Sequence, residues 1–184
     1  LLKECLPEDY TVFAQNYDSA FLFYPLNQPH GSSKSGLGLF SGYPVTEALR
    51  RSFPISTSWK KFLDLDRCYS ISRVPVELVI FTLHMSAYGN SDEIRKAQIS
   101  MLCEDMEKEY AAGNYVLCGG DFNHDLKASE ENASECESWA YPFPRSMLPE
   151  HISFAMDYLS EQEREALWDS ARNADMEYVP GETY

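Results

Sequence analysis

Apolar and polar positions divide the chain into short segments with strand-like periods, broken once by a helical one. Tyr10 to Ala14 and Ala20 to Leu26 are strand candidates; in the second, Phe21, Phe23 and Pro25 alternate against Leu22, Tyr24 and Leu26. Between that segment and the next, Asn27 to Ser35 is polar, with Pro, Gly and Ser, and predicts a loop. Gly36 to Ser41 predicts a strand whose glycines imply close packing or a bulge, closed by Pro44. Arg50 to Ile55 predicts another short strand. The clearest pair comes next. Arg67 to Val74 alternates, and Val76 to His84 is almost continuously apolar, with Pro75 between them. This predicts a hairpin whose second strand is central and buried.

A helix is predicted to follow. Asn90 and Glu93 have capping-box spacing, and Ile94, Ala97, Met101, Leu102 and Met106 fall on one face. Glu104, Glu107 and Glu109 lie on the opposite, solvated face, and Gly113 marks the stop. Tyr115 to Cys118 predicts a buried strand ended by Gly119 and Gly120. Strand, helix and strand over this length fit a parallel crossover. Lys127 to Pro149 predicts a long loop, acidic first and then rich in aromatic residues and proline (Trp139, Tyr141, Pro142, Phe143, Pro144). Ser160 and Glu163 repeat the capping-box spacing and open a short helix to Trp168; Asp169 to Tyr184 is irregular. No repeat or linker interrupts the sequence, which predicts a single domain over 1–184.

Composition narrows the class. The 184 residues suffice for one real core, and 44% apolar with 24% charged residues is ordinary for a soluble globular protein. No run approaches the roughly 18 apolar residues of a membrane span, and Leu1 to Cys5 lacks a signal-peptide core. The net charge of −14, with no Lys/Arg run, argues against electrostatic capture of duplex DNA. An acidic hydrolase still accepts a phosphate where a cation offsets the repulsion. Five scattered cysteines without a Cys-x-x-Cys argue against a zinc knuckle or a redox pair, and Cys118 is expected in the core.

Two predicted strands end in polar chemistry: His84-x-Ser86 on one, Asp121-x-Asn123 on the other. Each has an ordinary alternative. Asp and Asn after a strand make Asx turns, and a single histidine is often a satisfied structural group. Together a carboxylate, an amide and an imidazole suit phosphate-ester hydrolysis, which needs an oriented water and neutralised phosphate oxygens. His124 and Asp125 would extend such a site or be solvated; His30, Ser32 and Lys34 would meet substrate or form plain surface. Arg67 and Arg73 would serve phosphate or pair with the many acids.

Leu78-Val79-Ile80-Phe81-Thr82-Leu83-His84-Met85-Ser86, then the helix, then Val116-Leu117-Cys118-Gly119-Gly120-Asp121-Phe122-Asn123 resembles the endonuclease/exonuclease/phosphatase superfamily. Gly36 to Pro44 is similar to its strand ending in Ser-x-Tyr-Pro, and Phe62 to Arg67 to the approach to its hairpin. Ala171 to Asp175 and Pro180-Gly181-Glu182-Thr183 look like bacterial members of unassigned substrate. The resemblance implies an α/β four-layer sandwich, with two mixed sheets face to face and helices outside. It implies a divalent metal, magnesium or another such as manganese, touched by Asp121 and Asn123. Asp121 would orient or deprotonate the attacking water. Asn123 would hold a phosphate oxygen and fix Asp121, and His84 would donate to the phosphate.

The family's early Asn, its main metal-binding Glu, a later strand Asp and a terminal Ser-Asp-His have no match here. The resemblance therefore implies an internal piece, incomplete at both ends and inactive alone. Export or membrane-tethering segments of bacterial members lie upstream of such a piece. The implied substrate is a small phosphodiester, a lipid headgroup, a sugar phosphate or nucleic acid. The alternative is a binding or scaffold domain that keeps the fold without the chemistry.

Overall fold

The computed structural model describes residues 2–6, 9–23, 26–55, 66–87, 92–126 and 141–166. The chain divides into two compact units, Leu1–Met147 and Leu148–Tyr184. After a short helix α1 (Leu2–Cys5), the first unit has eight strands among its described residues: β1 (Tyr10–Leu22), β2 (Gly31–Ser41), β3 (Glu47–Ser52), β4 (Cys68–Val74), β5 (Leu78–His84), β6 (Tyr115–Asp121), β7 (His124–Asp125) and β8 (Tyr141–Pro142). Helix α2 (Asp92–Ala111) joins β5 to β6.

The central sheet has the order β3-β4-β5-β6, antiparallel as far as β5 and parallel between β5 and β6. The parallel pair with its helix is the crossover that the sequence predicts. Side chains alternate across this sheet. Tyr69, Arg73, Phe81 and Leu83 face α2, while Cys68, Ser70 and Ser72 face the β1–β2 hairpin. The hairpin packs on β4 and β5. Helix, mixed sheet and hairpin are three layers of an α/β sandwich. The hairpin layer is antiparallel, not mixed as expected.

The seam under α2 is apolar at its centre. Phe81, Leu83, Ile99, Leu102 and Met106 are buried, and Tyr69 stacks between Phe53 and Phe81. The helix face differs from the expected one. Ala97 is exposed, and Ile94 and Met101 are half-buried, while Arg95, Gln98 and Asp105 are buried. Each of these polar side chains is satisfied by a partner across the seam or on its own helix, which offsets its desolvation. Tyr69 donates to Asp105 at 2.5 Å, and Arg51 stands 3.1 Å from the same carboxylate. Burial pushes the Tyr69 hydroxyl well above its ordinary pKa.

Glu109 is likewise not free surface. Arg73 grips it through two bonds of 2.6 Å and reaches Glu47 at 2.9 Å, so Arg73 takes the ion-pair role expected of it. Glu104 alone of the three acids is exposed; Glu107 and Glu109 are half-buried. Gly113, at φ +90°, stops the helix, donating to Tyr110 O at 2.9 Å. Asn90 lies outside the described residues.

Several strand limits differ from expectation. β1 is one strand of 13 residues that absorbs both apolar segments as far as Leu22. β2 begins at Gly31, inside the expected loop, because cross-strand pairing carries it there; Lys34 sits opposite Asp18 with an ion pair of 3.2 Å. Gly36 packs closely, as its position predicts: a Cβ there would lie 2.4 Å from the Phe13 ring. β3 is offset toward Glu47, fixed by its register on β4 rather than by its own apolarity. β6 runs on through both glycines to Asp121. It is also an edge strand among the described residues, with Tyr115 and Leu117 exposed rather than buried. Cys118 is half-buried, and burial of its thiol pushes its pKa up to about 12. Phe62, Cys136 and the chain beyond Ala166 lie outside the described residues.

In the second unit, a 3₁₀ turn (Ala155–Tyr158) leads to helix α3 (Glu161–Glu165). The predicted capping box forms: Ser160 N donates to the Glu163 carboxylate at 2.8 Å, and Ser160 Oγ accepts from Glu163 N at 3.3 Å.

Two outcomes are expected. The β4–β5 turn holds Val76 at φ +74° and Glu77 at φ +61°, a region that costs a β-branched residue about 1–2 kcal/mol. Val76 is exposed, so Val76→Asn should raise stability by about 1 kcal/mol in urea denaturation, since Asn tolerates this conformation. Hydrogen bonding from Arg73 holds the Glu109 carboxyl below its ordinary pKa. Its stabilisation is therefore present above the unfolded carboxylate pKa and is lost as pH falls through the folded value. Glu109→Gln should flatten the loss of melting temperature between about pH 5 and pH 3.

Candidate active site

β5 and β6 run parallel, so their carboxyl ends lie side by side at one rim. The register sets His84 opposite Asp121, and Met85 N donates to Asp121 O at 2.9 Å, carrying the ladder one step further. Gly120 makes this approach possible. At φ +138° it lies against Leu83, where a Cβ would stand 2.1 Å from the Leu83 carbonyl oxygen.

After β6 the chain turns on Asn123, at φ +50°, a conformation that Asn adopts more readily than most residues. Asp121 Oδ1 accepts from Asn123 N at 3.0 Å, and Asn123 Nδ2 donates to Met85 O at 2.8 Å. Asn123 thus ties together the ends of both strands. The Asx turn weighed as the ordinary reading of Asp-x-Asn is present. It uses one carboxylate oxygen only. The other, Oδ2, lies 3.4 Å from His84 Nε2 on a side chain that is 56% exposed.

The imidazole is held from two further sides. Arg67 Nη1 stands 2.5 Å from Nε2. A guanidinium and an amide nitrogen both only donate, so Arg67 and Asn16 each offer the ring a donor and fix its orientation rather than its proton. Nδ1 faces the Asn16 amide at 3.4 Å, and Asn16 Oδ1 accepts from Ser35 Oγ at 2.8 Å. Asn16 and Arg67 are buried. One nitrogen therefore meets a fixed cation and a carboxylate, while the other side of the ring rests on a buried amide. Asn16 and Ser35 were not singled out from the sequence. The available signal was parity: Asn16 shares the inward face of β1 with Ala14, a polar residue at an apolar position.

The remaining candidates separate. Ser86 is buried and bonded at both its N–H and its hydroxyl to Gln98, which makes it structural. His124 is half-buried rather than solvated; its Nδ1 donates to Phe122 O at 2.6 Å, its ring meets Phe143 edge-on, and burial lowers its pKa. Asp125 pairs with Pro142 in the short β7–β8 ladder. Phe143 is core, Tyr141 is surface, and Trp139 lies outside the described residues. His30 is exposed.

Among the described residues no three His, Cys, Asp or Glu side chains converge as a metal cage. Magnesium does not require one. It keeps several waters and binds through one or two carboxylates together with substrate phosphate. The Asp121 carboxylate, exposed and with Oδ2 outside the Asx turn, fits such an ion, and Asn123 Oδ1 is a second oxygen of suitable chemistry.

A similar fold also occurs among solved structures. The human Nocturnin catalytic domain superposes with a TM-score of 0.50 at 14% identity, over 73% of this chain and 51% of that domain. The likeness is one of fold, an α/β sandwich. The chain spans about half the length of that domain. ANGEL2, a 2',3'-cyclic phosphatase, is similar over 68% of this chain and 35% of its own at 10% identity, and its TM-score of 0.46 adds no weight. No family model matches the sequence, and no curated protein does.

Asn123→Ala would leave the buried Met85 carbonyl without this donor and force Ala into a left-handed conformation. The expected cost is about 2–4 kcal/mol in urea denaturation, from the unsatisfied acceptor and the strained backbone together.

Proposed function

We propose that this chain carries the phosphate-binding and water-activating part of a metal-dependent phosphoesterase, acting on a phosphodiester or phosphomonoester. The observation that supports the reading is the convergence at His84 Nε2 of a buried guanidinium and an exposed carboxylate. Arg67 supplies a permanent positive charge for phosphate oxygens. A guanidinium, unlike an ammonium, also presents a planar fork that matches phosphate oxygens. The second N–H of Asn123 Nδ2 gives a neutral donor beside it. Asp121 Oδ2, left over from the Asx turn, accepts a proton or hydrogen bond from an attacking water. His84 lies between the two and passes from acceptor to donor as charge develops on the phosphate. A bound divalent ion, held by Asp121 and Asn123, would neutralise phosphate oxygens and stabilise the leaving group.

The test is hydrolysis of a chromogenic phosphodiester and the matching phosphomonoester by the full-length natural protein, with magnesium and with chelator. The expected result is metal-dependent cleavage that falls at least 100-fold in Asp121→Ala, a typical loss for a positioned base. Cleavage unchanged by chelator or by that substitution would sink the reading.

A further inference from the structure

The β1–β2 hairpin is longer than the sheet it packs on, and its surplus lies at one end. Ser35 donates to Asn16, and Asn16 faces His84, so this point of the hairpin stands at the rim. From Ser35 the chain runs away from the rim. β2 ends at Ser41, and Thr46 N then donates to Arg73 O at 2.9 Å, at the opposite end of β4 from Cys68. Residues 17–22 and 31–34 therefore extend past the rim as an arm, paired on itself as far as Leu22 and Gly31. Its six residues of β1, at about 3.3 Å each, give it a length of roughly 20 Å. Ala14 and Asn16 are buried, but no described residue from 17 to 34 is.

The end of this arm is apolar and carries no charge. Phe21 is 64% exposed, Phe23 51% and Leu26 81%. Large apolar side chains exposed together in this way mark an interaction site. Residues 19–33 hold no Asp, Glu, Lys or Arg, in a chain of which 24% is charged. The last charges before the tip, Asp18 and Lys34, neutralise each other across the hairpin at 3.2 Å. The tip thus stands apart from the rest of a chain of net charge −14, and that contrast narrows the partner. A second copy would bring one acidic chain against another. A bilayer of anionic lipids would repel the chain as the tip approached. A zwitterionic bilayer surface carries neither cost. It takes up Phe and Leu side chains at its boundary, and the arm meets it with the backbone hydrogen bonds of β1 and β2 already made.

We propose that the arm is a membrane-docking element, in which Phe21, Phe23 and Leu26 enter the interface of a zwitterionic bilayer and turn the rim toward it. Docking needs none of the chemistry assigned to His84 and Asp121, so it stands whether or not the chain is a phosphoesterase. Three side chains bury little apolar area, and the attachment is accordingly reversible, like that of a single acyl chain.

The experiment is co-sedimentation of the 184-residue protein with sucrose-loaded vesicles, one set of phosphatidylcholine alone and one of phosphatidylcholine mixed equally with phosphatidylserine. The protein should partition onto phosphatidylcholine and no more strongly onto the mixture, since the acidic chain is repelled there. Replacing all three tip residues together (Phe21→Ser, Phe23→Ser, Leu26→Ser) should lower the partition coefficient about tenfold or more, because buried apolar area sets the strength of binding. Tyr115→Ser, which removes an exposed aromatic ring at the opposite end of the sheet, should leave it unchanged. Phe21→Trp should keep the binding and add a tryptophan emission that shifts to the blue on vesicles. The tip side chains are exposed, so an unchanged melting temperature checks that the variants fold. No binding to phosphatidylcholine, binding only when phosphatidylserine is added, binding that survives the triple substitution, or an equal loss with Tyr115→Ser overturns the docking role. So does a dimer in analytical ultracentrifugation that the triple substitution abolishes, for then a second copy covers the tip. The two readings fail separately. Tip-dependent vesicle binding without hydrolysis by the full-length protein leaves the arm and removes the enzyme; Asp121-dependent hydrolysis without vesicle binding does the reverse.

Discussion

The contact of Gly120 with the backbone of Leu83 governs everything at the rim. Two parallel strands deliver side chains to one place only if their ends stay in register, and here the last step of that register brings backbone against backbone. Any Cβ at Gly120 would push β6 away from β5. His84 and Asp121 would then separate, the Met85 to Asp121 bond would stretch, and Asn123 could no longer reach Met85 O. A residue with no side chain thus determines the distance between His84 and Asp121. This is the reason Gly120 stands before the Asp, and it differs from the role of ending the strand.

Much of this was visible in the sequence because apolar runs are local. The β4–β5 hairpin, the crossover through α2 and the polar ends of β5 and β6 all followed from periodicity and punctuation. What escaped were features set by partners far away in the chain. β2 reaches back to Gly31 because β1 is there to pair with its serines and lysine. The inward face of α2 holds Arg95, Gln98 and Asp105 because Tyr141, Ser86 and Tyr69 wait opposite them. An apolar template cannot find a polar core position whose justification is a hydrogen bond. The same limit hid Asn16: only the fold shows that its amide faces a histidine 68 positions later.

The structure sets His84 and Asp121 at adjacent strand ends, bonds Asn123 across them, and places Arg67 and Asn16 against the His84 ring. It also shifts the balance among the roles. Asn123 is first a structural residue, bonded to the neighbouring strand end, and only its remaining N–H and oxygen are available to a ligand. His84 is flanked by a cation and an amide, so the orientation of its ring is set before any substrate arrives.

Gln98 has a wider consequence. Its one amide donates to Pro54 O at 2.8 Å and to Ser86 Oγ at 2.9 Å, and accepts from Ser86 N at 3.1 Å. A greasy helix face can slide or rotate on a sheet at small cost, but three directed bonds from a single buried side chain cannot be kept in more than one position. The segment after His84, the segment after Phe53 and the first half of α2 therefore move as one body. The entropy of arranging the rim is lost once, when the chain folds, and a ligand that reaches it has correspondingly less ordering left to impose.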